Sequence, residues 1–231
     1  MLENYFEEDA VSGVSESPQS VLGRVTLLLE PFRTAEGLTL TELAQRTGFP
    51  RSSTHRMLLQ LVKVGWISRS GTTYRLGPKM IELGALARIH DRIHRAALPT
   101  LYDLQTETGL VVHLAVLDGE DLLYLEKIGG RWTSETPSHV GERRPAHTTA
   151  AGIAMLHRRD GSYAPATEAD AFLVSGGVVR GGNPVRSVAA AFEAGNGDIG
   201  AIALTGPQGR LPEGVGRLVR HAADAVSARL A

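Results

Sequence analysis

The chain has 231 residues, 42% hydrophobic and 21% charged, with no cysteine and a formal net charge of −1. This suffices for one small and one medium domain, and it excludes disulfides, thiolate metal sites and cysteine nucleophiles. An acidic N-terminus (Glu3, Glu7, Glu8, Asp9) in place of a basic leader, and no apolar run long enough to span a bilayer, lead us to expect a cytoplasmic protein with no membrane contact. The distribution of charge is more informative than its sum. Residues 1–19 carry five acids and no base, residues 20–90 carry ten bases and four acids (net +6), and residues 91–231 carry fourteen bases and sixteen acids (net −2).

Residues 1–19, with Gly, Ser, Pro and acids, read as a disordered tail. From Ser20, the residues Val21, Leu22, Val25, Leu28, Leu29 and Phe32 recur at helical spacing and predict an amphipathic helix broken by Gly37. A short second helix, 41–47, capped by Thr39 or Thr41, turns Leu40, Leu43 and Ala44 inward and stops at Gly48. Pro50 opens a third helix from Arg51 to about Val64, with Met57, Leu58, Leu61 and Val62 as its buried stripe. Two short helices around a Gly-containing turn are the helix-turn-helix pattern. Residues 66–69 and 73–76 then alternate apolar and polar around Ser70-Gly71, a hairpin carrying Arg69 and Arg75, as a wing does. From Arg46 to Lys79 there are seven basic residues and no acidic one, the footprint of a folded nucleic-acid-binding module.

Helices are expected at 78–90 and 93–107, the second ending at Gly109. Strands follow at 110–117 and 121–128, joined by Asp118-Gly119-Glu120, then a helix at 147–158. Strands at 187–194 and 199–205 flank Gly195-Asn196-Gly197, and a helix at 214–230 closes the chain. Hairpins flanked by helices predict an α+β domain around an antiparallel sheet. Gly176–Gly182 lacks the order and context of a nucleotide cradle and reads as a flexible loop.

On the third helix, Ser52, His55, Arg56, Leu59 and Lys63 lie opposite the buried stripe. The hydroxyls of Ser52, Ser53 and Thr54 occupy its first turn, where backbone N–H groups point at anions, so with Arg51, Arg69 and Arg75 they are candidate DNA contacts. Arg56 is suited to bidentate pairing with guanine. The alternative is a three-helix module that binds protein. His90 and His94, at i and i+4, share a helix face, but no third ligand is evident and no metal is expected. No G-x-S-x-G, H-E-x-x-H or Walker lysine is present, so neither catalytic residue nor cofactor is expected. The segment His147-Thr-Thr-Ala-Ala-Gly152, a helix start beside a sheet edge, offers a seat for a carboxylate or amide oxygen; His113 and Trp132 are further lining candidates.

Several ordered passages carry a resemblance to a known family: Leu38-Thr-Leu-Thr-Glu-Leu-Ala-Gln-Arg-Thr-Gly48, Ser52-Ser-Thr-His-Arg-Met-Leu58, Tyr74-Arg-Leu-Gly-Pro-Lys79, Gly141-x4-Ala146-His-Thr-Thr-Ala-Ala-Gly152, and Arg186-Ser-Val-Ala-Ala190 through Ala203-Leu-Thr-Gly-Pro207. Over residues 20–231 the chain resembles the IclR-type bacterial regulators. The resemblance implies a winged helix-turn-helix at 20–79, a linker helix at 80–97 that mediates dimerisation, and a GAF-like effector-binding domain at 98–231. It implies a ligand-responsive transcriptional regulator, repressing a catabolic operon as a homodimer or dimer of dimers on double-stranded operator DNA. It also matches Thr149, Ala150 and Ala151 to one side of the family's effector contact, and Ser187, Ala203 and Thr205 to the other. A small-molecule-binding enzyme, or a signalling adaptor, with a winged-helix accessory domain is the alternative. The chain departs from the family between Arg159 and Arg186, where it is short and Gly-Gly-Val-Val-Arg-Gly-Gly-Asn replaces an acidic stretch; Ser187 falls near a cysteine position. The expected consequence is a less polar pocket, with Trp132 nearby, that accepts an aromatic acid or amide in place of a short oxoacid.

Overall fold

A computed structural model describes residues 20–129, 132–163, 171–178 and 184–231, the side chains of 135, 173–178 and 184 excepted. The expected tail at 1–19 lies outside the described residues. The chain forms two compact units, divided between Ala85 and Leu86.

In the first unit, α1 (Val21–Leu29) starts at Ser20, whose hydroxyl accepts the Gly23 N–H at 3.0 Å. It ends well before Gly37: Pro31 has no N–H to give, and residues 30–33 tighten into a 3-10 turn. Leu28 and Phe32 anchor this element, while Val21 and Leu22 stay exposed, contrary to the expected stripe. Helix α2 (Leu40–Thr47) begins at Thr39, which exchanges hydrogen bonds with Glu42 in a capping box that also holds the Glu42 carboxyl below its usual range. Gly48 closes it at φ 70°, a conformation that costs an L side chain energy. Helix α3 (Arg51–Lys63) follows Pro50. Its buried residues are Thr54, Leu58 and Leu61, at spacing four and three, and the two leucines pack with Leu28, Leu43, Ile67 and Tyr74. Met57 and Val62 are only partly buried. The wing has three strands, not two: β1 (Leu38–Thr39) adds to β3 (Thr73–Leu76), which pairs with β2 (Ile67–Ser70). Two residues are too few to show a period, so β1 left no mark in the sequence pattern.

Helix α4 runs Pro78–His90 and buries none of its residues. Asp91 then breaks the helix and caps α5 (Arg92–Thr108), accepting the His94 N–H at 2.6 Å. The expected His90–His94 pair therefore has no shared helix. His94 turns inward, its Nε2 2.9 Å from Glu126 Oε2, and Arg88 reaches the same carboxylate at 3.3 Å.

The second unit is built on a six-stranded antiparallel sheet, ordered β6 (Arg143–Pro145), β5 (Asp121–Ile128), β4 (Val111–Asp118), β9 (Ile199–Pro207), β8 (Pro184–Glu193), β7 (Phe172–Val178). Strand alternation gives the sheet two unlike faces. Leu114, Phe192, Ile202 and Leu204 pack with α5 and α7 (Val215–Leu230). Ala115, Ala189, Ala191, Ala201 and Ala203 face α6 (Ala150–Asp160). The bulky face fills the larger core, and the alanine face lets α6 approach closely. Gly152 marks that approach: a Cβ there would fall 2.1 Å from the Ala146 carbonyl oxygen, a backbone atom that cannot move aside. Strands β6 and β7 were not foreseen. Gly176 and Gly177, read as loop, lie in β7 at an irregularity of its pairing with β8, between Ser175 and Val178, while 179–182 fall outside the described residues. Among the described residues no helix is long and apolar enough to cross a membrane.

Candidate nucleic-acid interface and ligand cavity

On α3, burying Thr54, Leu58 and Leu61 turns Ser52, Arg56, Leu59 and Lys63 outward, as helical phase requires. Arg51 is also exposed, and Ser53 and His55 are half-buried on the two flanks. Thr54 must be removed from the candidate contacts. It is 0% exposed, and its hydroxyl donates to the Pro50 carbonyl at 3.2 Å. Its place in a hydroxyl-rich first turn suggested an anion contact, but helical phase sends it into the core.

Arg51 and His55 line a hollow shared with Thr39, Thr41, Arg69 and Thr72, so the α3 flank, the α2 start and the wing meet in one place. Arg69 is held there by a 2.9 Å bond to the Gly71 carbonyl and by lying 5.4 Å above the Tyr74 ring. On the opposite flank, Arg24 of α1 joins Ser53 and Arg56 in a second hollow, with its guanidinium 5.3 Å over Phe49. Sequence reasoning missed Arg24, because the direction in which α1 packs is a tertiary property. The described ion pairs of this unit are Arg33–Glu30 and Lys79–Glu82. Arg51, Arg56, Lys63, Arg69 and Arg75 thus have no carboxylate partner among the described residues, and their charge is available to an anion.

In the second unit a cavity of about 330 Å³ opens where the alanine face gives way to polar side chains. Seven of the eight effector candidates line it: Thr149, Ala150 and Ala151 from the α6 start, Ser187 from β8, Ala203 and Thr205 from β9, and His113 from β4. Register explains this convergence, since Ser187 pairs with Thr205 and Ala203 with His113 across adjacent strands. The eighth, Trp132, packs on the opposite face of the sheet against the α5–α7 core. The aromatic wall of the cavity is supplied instead by Tyr124, whose ring lies 5.2 Å from that of His113. Alternation along β5, Leu122 then Tyr124, was the sequence signal for that residue.

The cavity floor is a polar chain of neutral groups. Ser187 Oγ lies 2.9 Å from Thr205 Oγ1, Thr205 Oγ1 3.5 Å from His113 Nδ1, and His113 Nε2 2.6 Å from Ser138 Oγ. Burial, reinforced by the charges of Lys127 and Arg144, pushes the His113 pKa down to about 3, so the ring is neutral. Burial likewise lowers Lys127. Its ammonium donates to the carbonyls of Thr133 (3.1 Å), Thr136 (2.8 Å) and Ser138 (2.6 Å), fixing the segment that brings Thr136, Pro137 and Ser138 to the cavity. The Thr149 hydroxyl serves twice, because its oxygen accepts the Gly152 N–H at 3.0 Å as the cap of α6 and its proton is left to donate. The N–H groups of Ala150 and Ala151 belong to the first turn, which has no intrahelical acceptor. One charged side chain that the sequence reading did not name, Arg144 of β6, also lines the cavity. A three-residue edge strand gave the sequence no period from which to read that arginine.

Family models match segments of both units. The family model for the IclR helix-turn-helix domain matches residues 21–71, and that for the bacterial transcriptional regulator IclR C-terminal matches 86–173. The regulator KipR of Bacillus subtilis is 33% identical over 147 residues, covering 63% of this chain and 57% of its own length. KdgR of Dickeya chrysanthemi is 30% identical over 155 residues, covering 65% and 51%. The chain thus spans about half the length of the curated relatives it matches. Among solved structures, an IclR homolog from Microbacterium hydrocarbonoxydans complexed with 4-hydroxybenzoate superposes with a TM-score of 0.73 at 20% identity, covering 91% of this chain and 99% of its own. An IclR family regulator from Brucella abortus also gives 0.73 at 20% identity, covering 96% and 97%. These two share the fold. With both family models matched in order along one chain, the protein belongs to the IclR family of transcriptional regulators.

Proposed function

We propose that this protein is a ligand-responsive, DNA-binding transcriptional regulator that represses a catabolic operon, acting as a transcription factor and not as an enzyme. The observation that carries the reading is the set of cations on α3 and the wing, Arg51, Arg56, Lys63, Arg69 and Arg75, which have no carboxylate partner among the described residues and are gathered on a folded module. A protein-binding module would be expected to mix both signs on such a face. Within this set, Ser52, His55 and Arg56 read base edges, and Ser53 and the wing arginines grip phosphates. The exposed Ile81, Leu83, Leu86 and Ile89 along α4 support pairing of two copies through that helix, as a dimer or dimer of dimers. The effector is a small carboxylic acid or amide, held in the cavity near Thr149, Ser187 and Thr205, and an aromatic acid of benzoate size suits the volume and the Tyr124 wall.

The test is a gel-shift titration of the full chain against the DNA upstream of its own gene, with random DNA of equal length as competitor. Retarded complexes that resist the competitor, and that a cavity ligand dissolves or strengthens, are the expected outcome. Equal competition by random DNA would sink the regulator reading.

A further inference from the structure

Two consecutive arginines on β6 each meet a carboxylate, but only one of them lines the cavity. Arg143 is paired with Asp118 and lies 3.9 Å from Asp121, at the hairpin surface. Arg144, pointing to the other side by strand alternation, stands opposite Leu122, which belongs to the α6 face, and lines the cavity. Its Nε is ion-paired with Glu142, donating to Oε1 at 2.6 Å, and that carboxylate is itself pinned by the His139 N–H at 3.0 Å, so the guanidinium keeps only part of its charge for a ligand. The guanidinium is therefore oriented, while its two terminal amino groups have no partner among the described residues. Its charge is felt inside the cavity, where it depresses the imidazole of His113 and opposes the burial that raises Tyr124.

We propose that Arg144 is the specificity-determining residue of the cavity: it supplies the counter-charge for one carboxylate and restricts the ligand class to monocarboxylates with a neutral hydrogen-bonding far end. This rests on the cavity being the effector site. A free Nη edge is built for bidentate pairing with a planar carboxylate. The carboxylate is supported by the nearby first turn of α6, which favours negative charge. The remaining polar lining, Ser187, Thr205, His113 and Ser138 together with the hydroxyls of Tyr124, Thr136, Thr148 and Thr149, consists of hydroxyls and a neutral imidazole, which bond a hydroxyl or carbonyl oxygen but cannot compensate a second buried anion. The body of the ligand lies between the Tyr124 ring and the small side chains of Ala150, Ala151 and Ala203.

The experiment is calorimetric titration of the full-length protein with 4-hydroxybenzoate, the isosteric 4-hydroxybenzamide and the dicarboxylate terephthalate, each against wild type, Arg144→Gln, Arg144→Lys and the cavity-filling Ala203→Leu. Wild type should prefer 4-hydroxybenzoate to both other probes by tenfold or more. Arg144→Gln should lose that preference by weakening the acid at least tenfold while the amide changes less than threefold, and Arg144→Lys should restore part of it. Acid and amide binding wild type equally, or weakening equally in Arg144→Gln, with both blocked by Ala203→Leu, overturns the role of Arg144 and leaves the effector site standing. No binding of any probe, or binding indifferent to Ala203→Leu, overturns the site as well.

Discussion

Helices α3 and α6 both open on short hydroxyl residues, yet the fold uses them for different kinds of recognition. The α3 turn, Arg51-Ser-Ser-Thr54, belongs to an open face with five cations that have no carboxylate partner among the described residues, where solvent weakens each contact and many must act together. The α6 turn, Thr149-Ala-Ala-Gly152, borders a recess whose imidazole is buried and neutral, so one misplaced polar group is costly. An exposed multivalent face gives affinity that salt can tune; a desolvated hydrogen-bonded recess gives chemical selectivity.

The largest expected effect separates the two by ionic strength. If five or more phosphates are neutralised by α3 and the wing of each copy, DNA affinity should fall on the order of a thousandfold or more between 50 and 200 mM salt. Ligand binding in the cavity should change only slightly. A log–log plot of anisotropy-derived affinity against salt measures this, and a nearly flat line would show that the cationic face does not grip backbone.

Acid reverses the roles. The His113 pKa lies at about 3 against the ordinary histidine value of 6.5, so the unfolded chain binds more protons below pH 6.5. The stabilisation contributed by neutral His113 is complete above pH 6.5 and is lost as pH falls toward 3; at pH 5 the loss is about 2 kcal/mol. Urea unfolding of wild type and His113→Asn at pH 7 and 5 reads it: the variant should lack this component, and an unchanged pH slope would mean His113 is not buried as described.

Within the first unit, Arg56→Ala should cost roughly 1–3 kcal/mol of discrimination between operator and random DNA. Arg75→Ala should weaken both DNAs about equally, since phosphate contacts carry no sequence information. Competition titrations on the two DNAs distinguish these patterns, and identical behaviour of both variants would show the base-reading face to be misassigned. The smallest effect concerns the corrected residue. Thr54→Val should leave DNA affinity within about twofold while lowering stability by about 1 kcal/mol, because its hydroxyl bonds Pro50 inside the helix turn. A tenfold loss of DNA affinity without loss of stability would return Thr54 to the interface.

What the sequence determined by itself was local or additive. Seven bases without an acid from Arg46 to Lys79, the capping sequence at Thr39–Glu42, the glycine stops at Gly48 and Gly109, and the alternation in β4 and β5 gave the winged helix-turn-helix and the α+β sheet. Those signals are read over a few residues, because helix phase, strand alternation and caps arise between near neighbours. The resemblance to the family placed six cavity residues and the first strand of the sheet a seventh, His113, and the fold then brought them together. Only the tertiary structure decided the rest. Trp132 packs on the α5–α7 side of the sheet while the segment that follows it is tied to the Lys127 ammonium through the carbonyls of Thr133, Thr136 and Ser138, contacts that no periodicity records. Thr54 was assigned by residue type where its phase on α3 governed, and Arg144 reached the cavity through a strand three residues long. Facing and burial are properties of packed surfaces; they become definite only when the elements that the sequence encodes are set against one another.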